Sequence, residues 1–149
     1  MNRQIEQACA AFRTLLEDQL ARAERIAETS AQIAEKEKTV IGLIDGDGIG
    51  PIIMEQAVRV LKALAADEIA AGKIELRRIE GLTIENRLAL GKSVPEDVLA
   101  AIRECDVLLK GPTTTPKGGT MESANVTLRR ELDLFANVRP VCLPEQGID

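Results

Sequence analysis

From residue 2 to residue 37 the side chains Ile5, Cys9, Phe12, Leu16, Ala23, Ile26 and Ile33 recur at a 4-3 spacing, broken by Gln19 and Ser30 and widened by Leu15 and Leu20. Polar residues dominate the other positions, and the stretch holds neither Gly nor Pro. A stripe of that period predicts one amphipathic helix, with an interruption expected near Thr29 and Ser30. Two fates are open for its apolar face. Docking on the body of the protein is the plainer one. Pairing with a partner helix is the other, although a sustained coiled coil wants stronger positions than Gln19, Ala23 and Ser30.

The period then shortens. Thr39-Val-Ile-Gly-Leu-Ile44 is a β-branched apolar run that ends at Asp45-Gly-Asp-Gly-Ile-Gly50. Pro51 follows, suited to a first helical turn, and Ile53, Ala57, Val60, Leu61 and Leu64 return to helical spacing. Lys73 to Ile79 alternates as a strand does. Thr83 to Leu90 reads as a short helix, and Ser93-Val-Pro-Glu-Asp as the cap of another that runs to about Glu104. Val107-Leu-Leu109 is a third strand, Ser123 to Leu132 a helix, and Leu134 to Val141 a fourth strand. Strands alternating with helices give an α/β fold: an incomplete, largely parallel sheet flanked by helices, with a long N-terminal helix. The expected organisation is a helix over 1–38 and a partial α/β domain over 39–149.

Composition narrows the function. The chain has 149 residues, one domain or slightly less, and a net charge of −5. An acidic chain without Trp or Tyr offers neither the basic surface nor the stacking platforms that nucleic acids need. Cys9, Cys105 and Cys142 have no close spacing and there is no His, so a zinc site is not expected. The thiols read as buried, in a reducing compartment. No apolar run approaches the roughly 20 residues that span a bilayer, and the N-terminus lacks the apolar core of a signal peptide, so a cytoplasmic location is expected. Without His or Tyr, proton transfer by this chain alone falls to Asp, Glu, Lys or Cys.

Three motifs carry chemistry. Gly46-Asp-Gly-Ile-Gly-Pro51 closes a strand, at the edge where open α/β sheets bind ligands. It fits neither the P-loop nor the G-x-G-x-x-G pattern, and a plain strand-to-helix turn is an equal alternative. The loop from Gly111 to Thr120 holds two prolines, three glycines and four threonines. It is stiff and polar, as binding loops at strand ends often are. Ser123, Asn125, Arg129 and Arg139 form the sharpest set. Asn125 and Arg129 share a helix face, Ser123 stands at the helix mouth, and Arg139 comes from the end of the next strand. Guanidinium forks beside a helix N-terminus suit a small, multiply anionic ligand. The bland alternative is an ordinary N-cap with solvated arginines. Arg130 reads as a solvated partner of Glu131 or Asp133.

Over residues 39–141 the chain resembles the N-terminal part of the isocitrate/isopropylmalate dehydrogenases, the β-decarboxylating dehydrogenases. The resemblance runs through Ile-Asp-Gly-Asp-Gly-Ile-Gly-Pro51, Leu-Leu-Lys-Gly-Pro-Thr-Thr-Thr-Pro116 and Ser-Ala-Asn-Val-Thr-Leu-Arg-Arg-Glu-Leu-Asp-Leu-Phe-Ala-Asn-Val-Arg-Pro140. It implies oxidation of a 2-hydroxy acid with NAD or NADP, with a weak lean to NAD, and decarboxylation with magnesium or manganese. The pattern Ser-x-Asn-x-x-x-Arg favours isocitrate. Ser123 and Asn125 would contact it, and Arg129 and Arg139 would clamp its carboxylates. Lys110, Thr114 and Thr115 would lie beside the nicotinamide end of the cofactor. Two features depart from the family. Ile52 and Ile53 stand where an acidic residue is usual, with Glu55 coming later, and residues 1–38 lie outside the common pattern.

Family chains continue well beyond this length, and the remainder would carry the catalytic Tyr and Lys, the metal-binding aspartates and the adenosine pocket. No catalytic or metal-binding residue is therefore assigned to this chain. The expected function is an N-terminal segment or split subunit of an isocitrate dehydrogenase, inactive alone, with a site shared between subunits. Its expected partners are an isocitrate-like tricarboxylate and a chain carrying the missing C-terminal half or a homologous dehydrogenase subunit, with no nucleic acid and no membrane. The alternatives are a non-catalytic regulatory subunit and an α/β remnant without function.

Overall fold

The computed structural model describes residues 2–119, 121–134 and 136–140, with the backbone alone for 29–35. They fall into two compact units, Met1–Thr39 and Val40–Asp149.

The first unit is a single helix, α1 (Arg3–Glu35). Asn2 Oδ1 accepts the Gln4 N–H at 3.1 Å and caps its start. The helix runs through Thr29 and Ser30 without the expected interruption. Ser and Thr cost only a few tenths of a kcal/mol in a helix interior, and no Gly or Pro adds to that. This unit contains no second element to cover Ile5, Phe12, Leu15, Leu16 and Leu20, which are exposed. Cys9, expected as a buried thiol, is exposed as well.

The second unit runs β1 (Thr39–Ile44), α2 (Gly50–Leu64), α3 (Ala66–Ala70), β2 (Ile74–Arg78), α4 (Ile84–Leu90), α5 (Glu96–Arg103), β3 (Val107–Lys110) and α6 (Ala124–Glu131). The strands form one sheet in the order β2-β1-β3. β1 and β3 pair in parallel, from Ile41 opposite Val107 to Ile44 opposite Lys110. Successive side chains of a strand face opposite sides. Leu43 accordingly packs with Met54 and Val58 of α2. Ile44 packs on the other side with Val98 and Ile102 of α5 and with Ala124 and Leu128 of α6. Cys105 is half-buried beside that second core, and burial pushes its thiol above the ordinary range.

Three expectations change. Residues 134 and 136–140 form no strand, while Val141 and Cys142 lie outside the described residues. A β-rich pattern becomes a strand only beside a partner with a free edge, and Pro140 has no N–H to give to a ladder. α5 begins at Glu96 with Pro95 at its N-cap position, within the expected capping segment Ser93-Val-Pro-Glu-Asp but two residues past its first hydroxyl, Ser93. α3 was not anticipated, because five Ala-rich residues carry too little periodicity to read. No helix among the described residues is long and apolar enough to cross a membrane.

The parallel pairing of β1 and β3 decides where the chemistry lies. Their C-terminal ends emerge side by side, so the glycine turn after Ile44 and the Thr/Pro/Gly loop after Lys110 leave the sheet at one edge.

Candidate functional site

The two loops are stitched together through their backbones. Gly111 N–H donates to the Ile44 carbonyl at 2.8 Å, and Asp47 N–H donates to the Pro112 carbonyl at 2.7 Å. A Cβ at Gly46 would overlap the Pro112 carbonyl oxygen, and one at Gly111 would overlap that of Asp45. Gly46 also has φ +77, a left-handed conformation that side chains disfavour. The glycine turn therefore serves as the seat of the second loop.

Two buried charged side chains hold the second loop from the other direction. Asp47 Oδ2 accepts the Thr114 N–H at 2.7 Å, and Asp47 Oδ1 accepts the Ile84 N–H at the start of α4 at 2.7 Å. Arg87 is wholly buried. It donates to the Ser93 carbonyl at 2.7 Å, to the Thr114 carbonyl at 2.8 Å and to Met121 Sδ at 3.8 Å.

Lys110 stands at the end of β3 with its ammonium half-buried. It donates to the Gly111 carbonyl at 2.7 Å and to Thr113 Oγ1 at 3.4 Å. Burial pushes the ammonium below the ordinary lysine range. The Asp47 carboxylate opposes that shift and the Arg87 guanidinium adds to it. Thr113 Oγ1 lies 3.5 Å from Asn125 Oδ1, which links this loop to the first turn of α6.

α6 is placed by tertiary contacts. Thr127 donates to Glu122 Oε2 at 2.6 Å and meets the Ser93 hydroxyl. Those bonds to Thr127 and to Arg130 hold the Glu122 carboxyl below its usual range. Ser123 occupies the N-cap position, but its side chain makes no capping bond. Ser123 and Asn125 are half-buried, whereas Arg129 and Arg139 are exposed, and their guanidiniums make no hydrogen bond or ion pair among the described residues; the Arg129 carbonyl accepts the Leu134 N–H at 2.9 Å. Arg130 pairs with Glu122 at 3.0 Å and with Glu131 at 3.6 Å.

Of the residues singled out in the sequence, Lys110 and Asn125 thus meet through Thr113, Thr114 is bonded to Asp47 and Arg87 instead, and Ser123 opens the helix that carries Asn125. Thr115 is exposed, and Arg139 stands on no strand. Asp47, Arg87, Ser93, Glu122 and Thr127 were not assigned to the site. An Asp inside a glycine turn is a known seeker of backbone N–H groups, which could have pointed to Asp47. Arg87 in a short helix reads as solvated, and no local pattern marks its burial.

A separate cleft of about 330 Å³ lies where β1 and β2 end, lined by Asp45, Arg78, Glu80, Leu82 and Thr83 among others. Arg78 pairs with Asp45 Oδ2, while Asp45 Oδ1 is buried without a hydrogen-bond partner among the described residues. Ser123, Asn125, Arg129 and Arg139 do not line this cleft. Among the described residues no three His, Cys, Asp or Glu side chains gather to hold a metal ion.

Comparison with known proteins places these loops in a known setting. Residues 39–147 match the family model described as isocitrate/isopropylmalate dehydrogenase. An isocitrate dehydrogenase (NADP) of Archaeoglobus fulgidus is 43% identical over 119 residues, 79% of this chain and 28% of the relative. One from Caldococcus noboribetus is 41% identical over 129 residues, 84% of this chain and 28% of the relative. One from Staphylococcus aureus is 38% identical over 120 residues, 80% of this chain and 28% of the relative. The chain thus spans about 28% of the length of these curated relatives. The glycine turn, the Thr/Pro/Gly loop and the α6 helix all lie within the matched span, and this chain belongs to the isocitrate/isopropylmalate dehydrogenase family.

Proposed function

We propose that this chain forms the part of an isocitrate dehydrogenase that receives the substrate carboxylates and borders the nicotinamide end of the cofactor. The observation that carries this reading is the approach of Thr113 to Asn125, with the half-buried Lys110 ammonium bonded to the same threonine. It joins the loop expected at the cofactor to the helix expected at the substrate. In this reading Ser123 and Asn125 contact isocitrate, Arg129 and Arg139 clamp its carboxylates, and Lys110, Thr114 and Thr115 line the cofactor side. A cation half-removed from water, beside fixed hydroxyl and amide groups, is suited to an anion that supplies the missing countercharge.

The names of the relatives favour NADP over the NAD expected from sequence. As the family resemblance implies, the metal ligands and the acid/base pair are assigned to polypeptide outside these 149 residues, on the same or another chain. The whole site is assembled as an oligomer in the cytoplasm.

Purified chain mixed with isocitrate, Mn²⁺ and NADP is expected to bind isocitrate by calorimetry and to produce no NADPH. Turnover by the chain alone would refute the shared-site reading. Absence of any isocitrate binding would refute the substrate assignment.

A further inference from the structure

We infer that Asp47 and Arg87 are positioning residues for the ligand loop, acting on it through the backbone of Thr114. This rests on the reading above, in which that loop and α6 face the ligand. Residues 113–116 belong to neither strand nor helix, and past the seam bonds at Gly111 and Pro112 no backbone–backbone bond holds them among the described residues. Thr114 is instead held at both of its backbone polar groups. Its N–H goes to the Asp47 carboxylate at 2.7 Å and its carbonyl takes the Arg87 guanidinium at 2.8 Å. Both are charge-assisted bonds made by buried side chains to an exposed residue, and the charge makes them stronger than neutral ones.

The clamp has a rigid base. Asp47 also takes the N–H of Ile84, one turn before Arg87 on α4, so both side chains are referred to one short helix. Arg87 is held in turn by the Ser93 carbonyl at 2.7 Å. Its described bonds run to two carbonyls and a sulfur, with no carboxylate among them. A buried charge arranged this way carries a desolvation cost that an apolar residue would avoid. What it provides here is a fixed direction for the Thr114 carbonyl. Thr113 is the neighbouring residue, and its hydroxyl meets both Lys110 and Asn125. Turning the Thr114 backbone would swing that hydroxyl away from both. Asp47 and Arg87 thus act on the ligand surface without touching the ligand.

The test uses the full chain with Asp47→Asn, which keeps the shape but loses one acceptor oxygen, and Arg87→Lys, which keeps the charge but loses the fork. Amide exchange at Thr114 is read against that at Ile79, whose N–H is bonded to Leu43 in the sheet. Isocitrate affinity is read by calorimetry. In each variant Thr114 is expected to exchange about tenfold faster while Ile79 is unchanged, and the isocitrate Kd to rise about tenfold, the scale of one charge-assisted hydrogen bond. Equal acceleration at both amides would mean general destabilisation and would overturn the inference. So would an unchanged Thr114, or a released Thr114 with unaltered affinity. If the wild-type chain binds no isocitrate, the functional reading fails by itself, and the exchange at Thr114 alone decides whether the pair holds the loop. Should one variant not fold, the other carries the same comparison.

Discussion

Gly46→Ala is expected to lose about 2–5 kcal/mol of stability, enough to remove much of the usual margin of a domain this size. Two costs add. A non-glycine residue at φ +77 pays roughly 1–2 kcal/mol for the left-handed conformation. The new Cβ would also overlap the Pro112 carbonyl oxygen, which is fixed by the Asp47 N–H and cannot retreat without opening the seam between the loops. Overpacking of this kind costs roughly another 1–3 kcal/mol. Gly48→Ala is the control, because its φ is +59 and nothing lies within 4 Å of its Cβ position. It is expected to lose about 1 kcal/mol, the conformational cost alone. Gly111→Ala, which meets the Asp45 carbonyl oxygen and Met54 without a left-handed φ, should show the overlap cost alone, roughly 1–3 kcal/mol. Urea unfolding followed through the amide signals of Leu43 and Leu109 measures all three. If Gly46→Ala and Gly48→Ala lose equal stability, the interlocked seam is wrong.

Arg129→Ala is expected to weaken isocitrate binding about 100-fold, the scale of truncating one partner of a charged, hydrogen-bonded pair. Arg129 shares a face of α6 with Asn125, and its guanidinium has no hydrogen bond or ion pair among the described residues, so it is available to a carboxylate. Removing it should change stability by no more than about 0.5 kcal/mol, as for an ordinary exposed position. Arg129→Lys should recover only part of the affinity, since an ammonium cannot make the two parallel bonds of the fork. Arg130→Ala is the matched control, because Arg130 is already engaged with Glu122 and Glu131. Titration calorimetry with isocitrate separates the two. Equal losses at 129 and 130 would reduce the effect to net charge and remove the assignment of Arg129.

The sequence was legible where structure is decided locally. β1, the turn after it and α2 announce themselves by a change of period punctuated by Gly and Pro, and the short helix expected from Thr83 is α4, with Thr83 as its cap through the Asn86 N–H. Partners far along the chain left no such mark. Ser93 looked like a helix cap but spends its hydroxyl on Thr127, 34 residues away, and the helix starts later. Residues 134 and 136–140 have strand-like composition without a ladder, since pairing depends on an edge that composition does not disclose. The candidate site divides the same way. Asn125, Arg129 and the Thr/Pro/Gly loop could be picked out by spacing and residue type. Arg87 could not, because its importance lies in reaching Thr114 from 27 residues away; for Asp47 the glycine turn hints at a seeker of backbone N–H groups but not at its target 67 residues on.

The most direct measurement is an isocitrate titration of isotope-labelled chain, followed by amide and side-chain NMR shifts. The account predicts the largest changes at Lys110 to Thr115, at Ser123 to Arg129 and at Arg139, with Arg78 to Thr83 unmoved. Changes centred on Asp45, Arg78 and Glu80 would put the ligand in the cleft at the ends of β1 and β2, and would contradict it.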